Sequence, residues 1–223
     1  MTFALGSSTA SRMLHVDAGS IVPSTRDLLQ VLATKRRSMA LVGVIGSERP
    51  AEEAARLHEL NVSALASAEP GIAMQLAARA TKTVPTLCLL AAGDRDAFLA
   101  ARFHGADGVC IDASLPLDEW DQLAKNARMT RMLPLALARD EASIDAAVKS
   151  GARAILVRAA SSEAAIALAA KAPRSVTVVA EITGEGADGD ALRALRGHVD
   201  AAIVPASVHE AAGFAALVAE LDP

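Results

Sequence analysis

Gly105-Ala-Asp-Gly-Val-Cys-Ile-Asp112, Gly151-Ala-Arg-Ala-Ile-Leu-Val-Arg158 and Gly197-His-Val-Asp-Ala-Ala-Ile-Val204 begin alike, and Asn61-Val-Ser-Ala-Leu-Ala66 opens the same way. Their starts follow one another at intervals of 44, 46 and 46 residues. Gly and Asn are the residues that end a helix in the left-handed conformation. Each is followed here by a short apolar run, so each marks a helix that stops and feeds a buried strand. A period near 46 is too long for one βα unit and suits two. Four double units make eight strands and eight helices, which predicts an α/β chain folded as a (β/α)8 TIM barrel.

Outward from these segments, the apolar runs predict eight strands. They are β1 over Met39–Ile45, β2 over Val62–Ala66, β3 over Thr86–Leu90 and β4 over Gly108–Ile111. The second half supplies β5 over Leu133–Ala138, β6 over Ala154–Val157, β7 over Val176–Ala180 and β8 over Ala201–Val204. The runs are continuous rather than alternating, as parallel strands buried on both faces require. Ala-rich amphipathic stretches between them predict helices, among them Ala51–Leu60, Asp96–His104, Asp118–Ala127, Glu141–Ser150, Ser162–Ala172 and Val208–Leu221. Ahead of the barrel, Ser24 or Thr25 caps one further predicted helix, Thr25–Arg37. Its basic Lys35-Arg36-Arg37 suits a helix C-terminus. Residues 1–22 have no clear period and are expected to be loosely ordered. No linker or composition shift divides the chain, so residues 1–223 read as one domain.

Composition narrows the function classes. Four Phe, one Trp and no Tyr give no stacking platform for single-stranded nucleic acid, and a net charge of −4 disfavours phosphate backbones. No run of 18 apolar residues spans a membrane, and no secretory signal is present, which together suggest a cytoplasmic protein. Cys88 and Cys110 both fall on predicted strands and read as small core residues. No His, Cys, Asp and Glu spacing fits a metal site, and no cofactor motif is present, so neither metal nor cofactor is expected.

Val84-Pro85-Thr-Leu87, Ala100-Ala-Arg-Phe-His-Gly-Ala-Asp107, Arg139-Asp140-Glu141 and Val179-Ala180-Glu181 resemble passages of indole-3-glycerol phosphate synthase, a phosphate-binding barrel of tryptophan biosynthesis. The resemblance implies ring-closing lyase chemistry driven by a lysine acid with glutamate partners. At the positions where it implies those groups the chain has Val44 and Gly46 at the end of β1, Leu89 on β3, Leu137 on β5 and Arg158 at the end of β6. Glu181 alone matches. An apolar side chain can neither donate nor accept a proton. No lysine lies on a predicted strand, and Lys82 sits at the wrong end of β3.

Barrel active sites form at the C-terminal ends of the strands. Among the polar residues predicted there, Asp140, Ser161 and Ser207 are placed to cap helices, and His209 is expected to be a solvated side chain. Asp112, Arg158 and Glu181 are the candidate catalytic residues, with Arg158 expected to pair with both acids. Thr183, Gly184 and Ser207 are the candidate phosphate ligands. The first reading is a barrel that has lost synthase activity and acts as a binding, regulatory or scaffold protein. Its protein partner would meet Phe98, Phe103 or Trp120. The alternative is a lyase- or isomerase-type enzyme that takes a small phosphate or carboxylate substrate through the same three residues. An active synthase is the third.

Overall fold

The computed structural model describes residues 21–91 and 93–222. Eight parallel strands pair in sequence order and close β8 onto β1. They are β1 (Ala40–Ile45), β2 (Ala64–Ser67), β3 (Thr86–Ala91), β4 (Gly108–Asp112), β5 (Leu133–Ala138), β6 (Ala154–Ala159), β7 (Thr177–Ile182) and β8 (Ala201–Val204). The predicted (β/α)8 TIM barrel is therefore the observed one. Helix α1 (Leu28–Leu32) precedes the barrel. The outer ring is α2 (Pro50–Glu59), α3 (Ile72–Ala80), α4 (Arg95–Phe103), α5 (Leu117–Met129), α6 (Glu141–Lys149), α7 (Ser162–Ala169), α8 (Gly189–Leu195), the short α9 (Ala206–His209) and α10 (Phe214–Leu221).

Alternate strand residues point to two separate apolar layers. Leu41, Leu65, Val109, Ala136, Ile155 and Val178 face the helices, while Val42, Ala66, Leu87, Cys110, Leu135, Leu156 and Val179 fill the interior. Both cysteines are buried and free, and burial pushes the Cys88 thiol up to about 11 and Cys110 higher still.

The floor of the barrel is built from very small residues. Five strands begin on Ala40, Ala64, Gly108, Ala154 and Ala201. The space they leave is taken by Leu28 and Leu32 of α1, both buried in the interior cluster. Helix α1 thus closes the N-terminal end, and its side chains belong to the barrel core. It is much shorter than the predicted Thr25–Arg37. Asp27 rather than Ser24 or Thr25 caps it, and the chain turns at Lys35 and Arg36, which both have positive φ. Residues 1–20, which include most of the stretch expected to be loosely ordered, lie outside the described residues. The predicted helix Val208–Leu221 is broken into α9 and α10 by Gly213, at φ 97°.

Two buried aspartates pin the floor. Asp107 accepts the N–H of Thr86 and pairs with Arg26 at 2.7 Å and Arg102 at 3.0 Å. Asp200, 93 residues on, accepts the N–H of Val178 and the backbone N–H of Arg36. Each ties the entry of one strand to its neighbour and to the segment carrying α1. Phe98 and Trp120, expected on a partner surface, are instead packed between helices and barrel at 1% exposure each, because their bulk fills that layer. Phe103 is exposed.

Candidate functional site

Four charged side chains gather at the C-terminal mouth. Asp112 ends β4, Arg158 and Glu181 stand opposite each other in the β6–β7 register, and Arg139 follows β5 directly. Arg158 and Glu181 continue the inward-facing series of Leu156 and Val179, so the period-2 alternation aims them into the mouth.

Their pairing differs from the expected three-residue cluster. Arg158 Nε donates to Glu181 Oε2 at 2.7 Å, and Arg139 Nη1 donates to Asp112 Oδ2 at 2.7 Å. Arg158 does not bridge both acids, because Arg139 lies nearer Asp112. In the sequence Arg139 stands only within Arg139-Asp140-Glu141 and is expected to pair with no acid. Its signal was its position one residue past β5, where the inward alternation continues. Arg158 and Glu181 are partly shielded, with side chains 27% and 17% exposed.

The two acids differ in how fully they are engaged. Both Asp112 oxygens are used: Oδ1 accepts the N–H and hydroxyl of Ser114, and Oδ2 accepts Arg139. Burial alone would raise its carboxyl, but the hydrogen bonds from Arg139 and Ser114 outweigh that and hold it below the usual carboxylate range. Glu181 uses only Oε2 in hydrogen bonds among the described residues.

Strand β3 shapes the opposite wall. Its register against β4 shifts between Cys88 and Ala91, a bulge of the kind that re-aims residues beside active sites. Leu89 turns inward and is buried, Leu90 turns out to solvent, and the Leu89 carbonyl accepts Arg158 Nη2 at 3.4 Å. Leu89 and Leu137, where the family resemblance implies proton-transfer groups, are apolar lining of the interior.

The loops after β7 and β8 carry the remaining candidates. Thr183 donates its N–H and its hydroxyl to Ala159 O, and Gly184 opens a single 3-10 turn, Gly184–Gly186. Ser207 lies inside α9, exposed, with Pro205 in the capping position it was expected to fill. Asp140 and Ser161 do cap α6 and α7.

His209 is not a solvated side chain. It is 1% exposed, with Nε2 donating to Val44 O at 2.8 Å and Nδ1 accepting from Arg56 Nη2 at 3.0 Å. A guanidinium only donates, so Nδ1 is the acceptor here, and Glu53 Oε1 lies 3.5 Å from Nε2. Glu53, buried beside it, accepts the N–H groups of Gly46 and Ser47 and so fixes the turn leaving β1. Glu53 was legible only as one acid of an amphipathic helix; the contact across to α9 is tertiary. His104, at the C-cap of α4, is shifted down by burial.

Among the described residues no helix is long and apolar enough to cross a membrane. Comparison of the chain with family models gives no match, and comparison with curated proteins gives none. Solved structures do match. One is the N-acetylmannosamine-6-phosphate 2-epimerase from Clostridium perfringens, with 14% identity, a TM-score of 0.64, and coverage of 83% of this chain and 92% of that one. Another is a 3-hexulose-6-phosphate synthase, with 17% identity, a TM-score of 0.67, and coverage of 82% and 98%. At these identities the likeness is one of fold. Both neighbours are enzymes, and this overturns the expectation of a non-catalytic scaffold barrel.

Proposed function

We propose that the mouth is the active site of a lyase- or isomerase-type enzyme that acts on a small substrate bearing a phosphate or carboxylate. The observation that carries this reading is the Arg158–Glu181 pair, inside the mouth and partly open to solvent. Here one carboxylate oxygen and one edge of the guanidinium are left for another molecule.

Arg158 holds Glu181 through Nε and reaches the Leu89 carbonyl with Nη2, so its remaining Nη hydrogens can take an oxyanion of a carboxylate or phosphate. Glu181 Oε1 is the proton acceptor. It would remove a proton from the carbon beside a substrate carbonyl and become the carboxylic acid, while a guanidinium stabilises the enolate oxygen. In an α-hydroxy carbonyl the hydroxyl proton moves to the enolate oxygen and Glu181 returns its proton to the former carbonyl carbon, which gives an isomerase; expelling a group β to the carbonyl from the enolate, with the proton passing from Glu181 to that group, gives a lyase. Asp112, its oxygens occupied, positions Arg139 at the rim. Thr183, Gly184 and Ser207, on the loops after β7 and β8 where barrels of this fold frequently seat phosphate, are the residues this reading assigns to a substrate phosphate.

The test is solvent deuterium exchange, followed by proton NMR, over a panel of ketose and aldose phosphates and hydroxy acids. Exchange at one carbon of one substrate is expected. Glu181→Gln should slow it by about 10²–10⁴-fold, the usual contribution of a positioned base. Arg158→Ala should act mainly on KM. Neither exchange nor turnover across the panel, with no ligand raising the Tm, overturns the reading.

A further inference from the structure

Opposite the mouth, the barrel floor carries a second basic site that the chemistry above does not use. The chain leaves α1 through a tight turn, with the N–H of Arg37 donating to the carbonyl of Thr34. Its two central residues, Lys35 and Arg36, have φ of 56° and 57°. Two successive positive φ angles define the type I′ turn, whose usual occupants are Asn-Gly because longer side chains are strained there. Lysine and arginine in both positions break a local rule, and such departures gather at functional sites.

Arg36 has a structural reason to be there. Its backbone N–H and its guanidinium both reach Asp200, and Nη2 reaches Ala169 O. Lys35 has no such reason. Together with Arg37 and Arg174 it lines a cavity of about 450 Å3 between this turn and the α7–β7 connection, with Ser175 beside them. Among the described residues, Lys35, Arg37 and Arg174 make no side-chain hydrogen bond and no ion pair. The one acid at the cavity, Asp200, is buried and already satisfied by two backbone N–H groups and Arg36.

We propose that this cavity is an anion site, which takes a phosphate or diphosphate group between Lys35, Arg37 and Arg174. Three cations that have no side-chain partner among the described residues, set around a concave surface, create a local positive field in a chain of net charge −4. An anion held there bridges the turn after α1 to the connection that enters β7, and so stabilises the closed floor. The site is at the other end of the barrel from Arg158 and stands whether or not the mouth is catalytic.

The probes are inorganic pyrophosphate and inorganic phosphate, titrated by calorimetry at low ionic strength. Wild type should bind pyrophosphate more tightly than phosphate, with affinity that falls as salt is added. Lys35→Ala/Arg37→Ala/Arg174→Ala, which spares Arg36, should weaken pyrophosphate by about tenfold or more. Arg158→Ala at the mouth should retain the pyrophosphate binding that the triple variant loses, whatever phosphate the mouth itself takes. Lys35→Gly, which relieves the turn, should keep or raise the Tm and still bind more weakly; a merely structural lysine would not separate the two. Absence of binding to wild type, equal binding to the triple variant, or loss of binding in Arg158→Ala would each overturn the proposal.

Discussion

The buried aspartates show most directly how single residues hold this barrel. Asp107 is wholly inaccessible and holds two arginines and a strand N–H, so Asp107→Ala leaves Arg26 and Arg102 facing an empty, desolvated pocket. It should cost about 3–5 kcal/mol, measured by urea denaturation. Arg158→Ala is different. The pair is partly hydrated, so its removal should cost only about 1–2 kcal/mol, between the values for exposed and buried pairs. A much larger loss would mark Arg158 as a structural plug. Asp112 gives a pH signature. Its carboxyl titrates lower folded than its ordinary value of 3.8, so the folded state binds fewer protons in that range. Its contribution is whole above pH 3.8 and fades as pH falls through the folded value. The stability gap between wild type and Asp112→Asn should therefore close as acid is added. Asp112, Arg158 and Glu181 are legible in the sequence because each ends an apolar strand; of the two acids expected on Arg158, Glu181 is there and Asp112 is held by Arg139 instead. Which arginine meets which acid depends on the spacing of β4, β5 and β6 around the barrel.

Among the elements, α1 departs furthest from its pattern in the sequence. Its apolar face predicts a longer helix, Thr25–Arg37, without fixing where it packs, and Leu28 and Leu32 enter the barrel itself. The floor alanines and Gly108 explain this, since larger side chains would occupy the same space. A Cβ on Gly108 would collide with Leu28 and approach Leu135 to 3.2 Å. Gly108→Val should therefore push α1 off the floor. The expected outcome is a loss of about 1–3 kcal/mol, with new proteolytic cleavage in residues 24–37. The β3 bulge was invisible in the sequence, because Leu89-Leu90 reads as two more residues of an apolar run. Only pairing with β4 shows that one leucine faces in and the other out.

At the scale of the whole molecule, the barrel is two halves carrying the same device. Asp107 and Asp200 occupy equivalent places before β4 and β8, and each is gripped by the segment around α1 through Arg26 or Arg36. That short segment therefore spans both halves. A chain beginning at residue 38 should lose its cooperative thermal transition, because the floor would open and both aspartates would lose a cation. The sequence by itself determined the strand count, the parallel order and the end of the barrel where the charged residues collect. These follow from local rules: glycine and asparagine ending helices, continuous apolar runs between them, and a fixed period of about 46 residues. Tertiary structure alone decided that α1 is a floor plug, that His209 is buried, that Arg139 takes Asp112, and that Lys35 and Arg37 line one cavity with Arg174. Each of these joins residues far apart in the chain. No local periodicity encodes such contacts, because they exist only once β8 has closed onto β1.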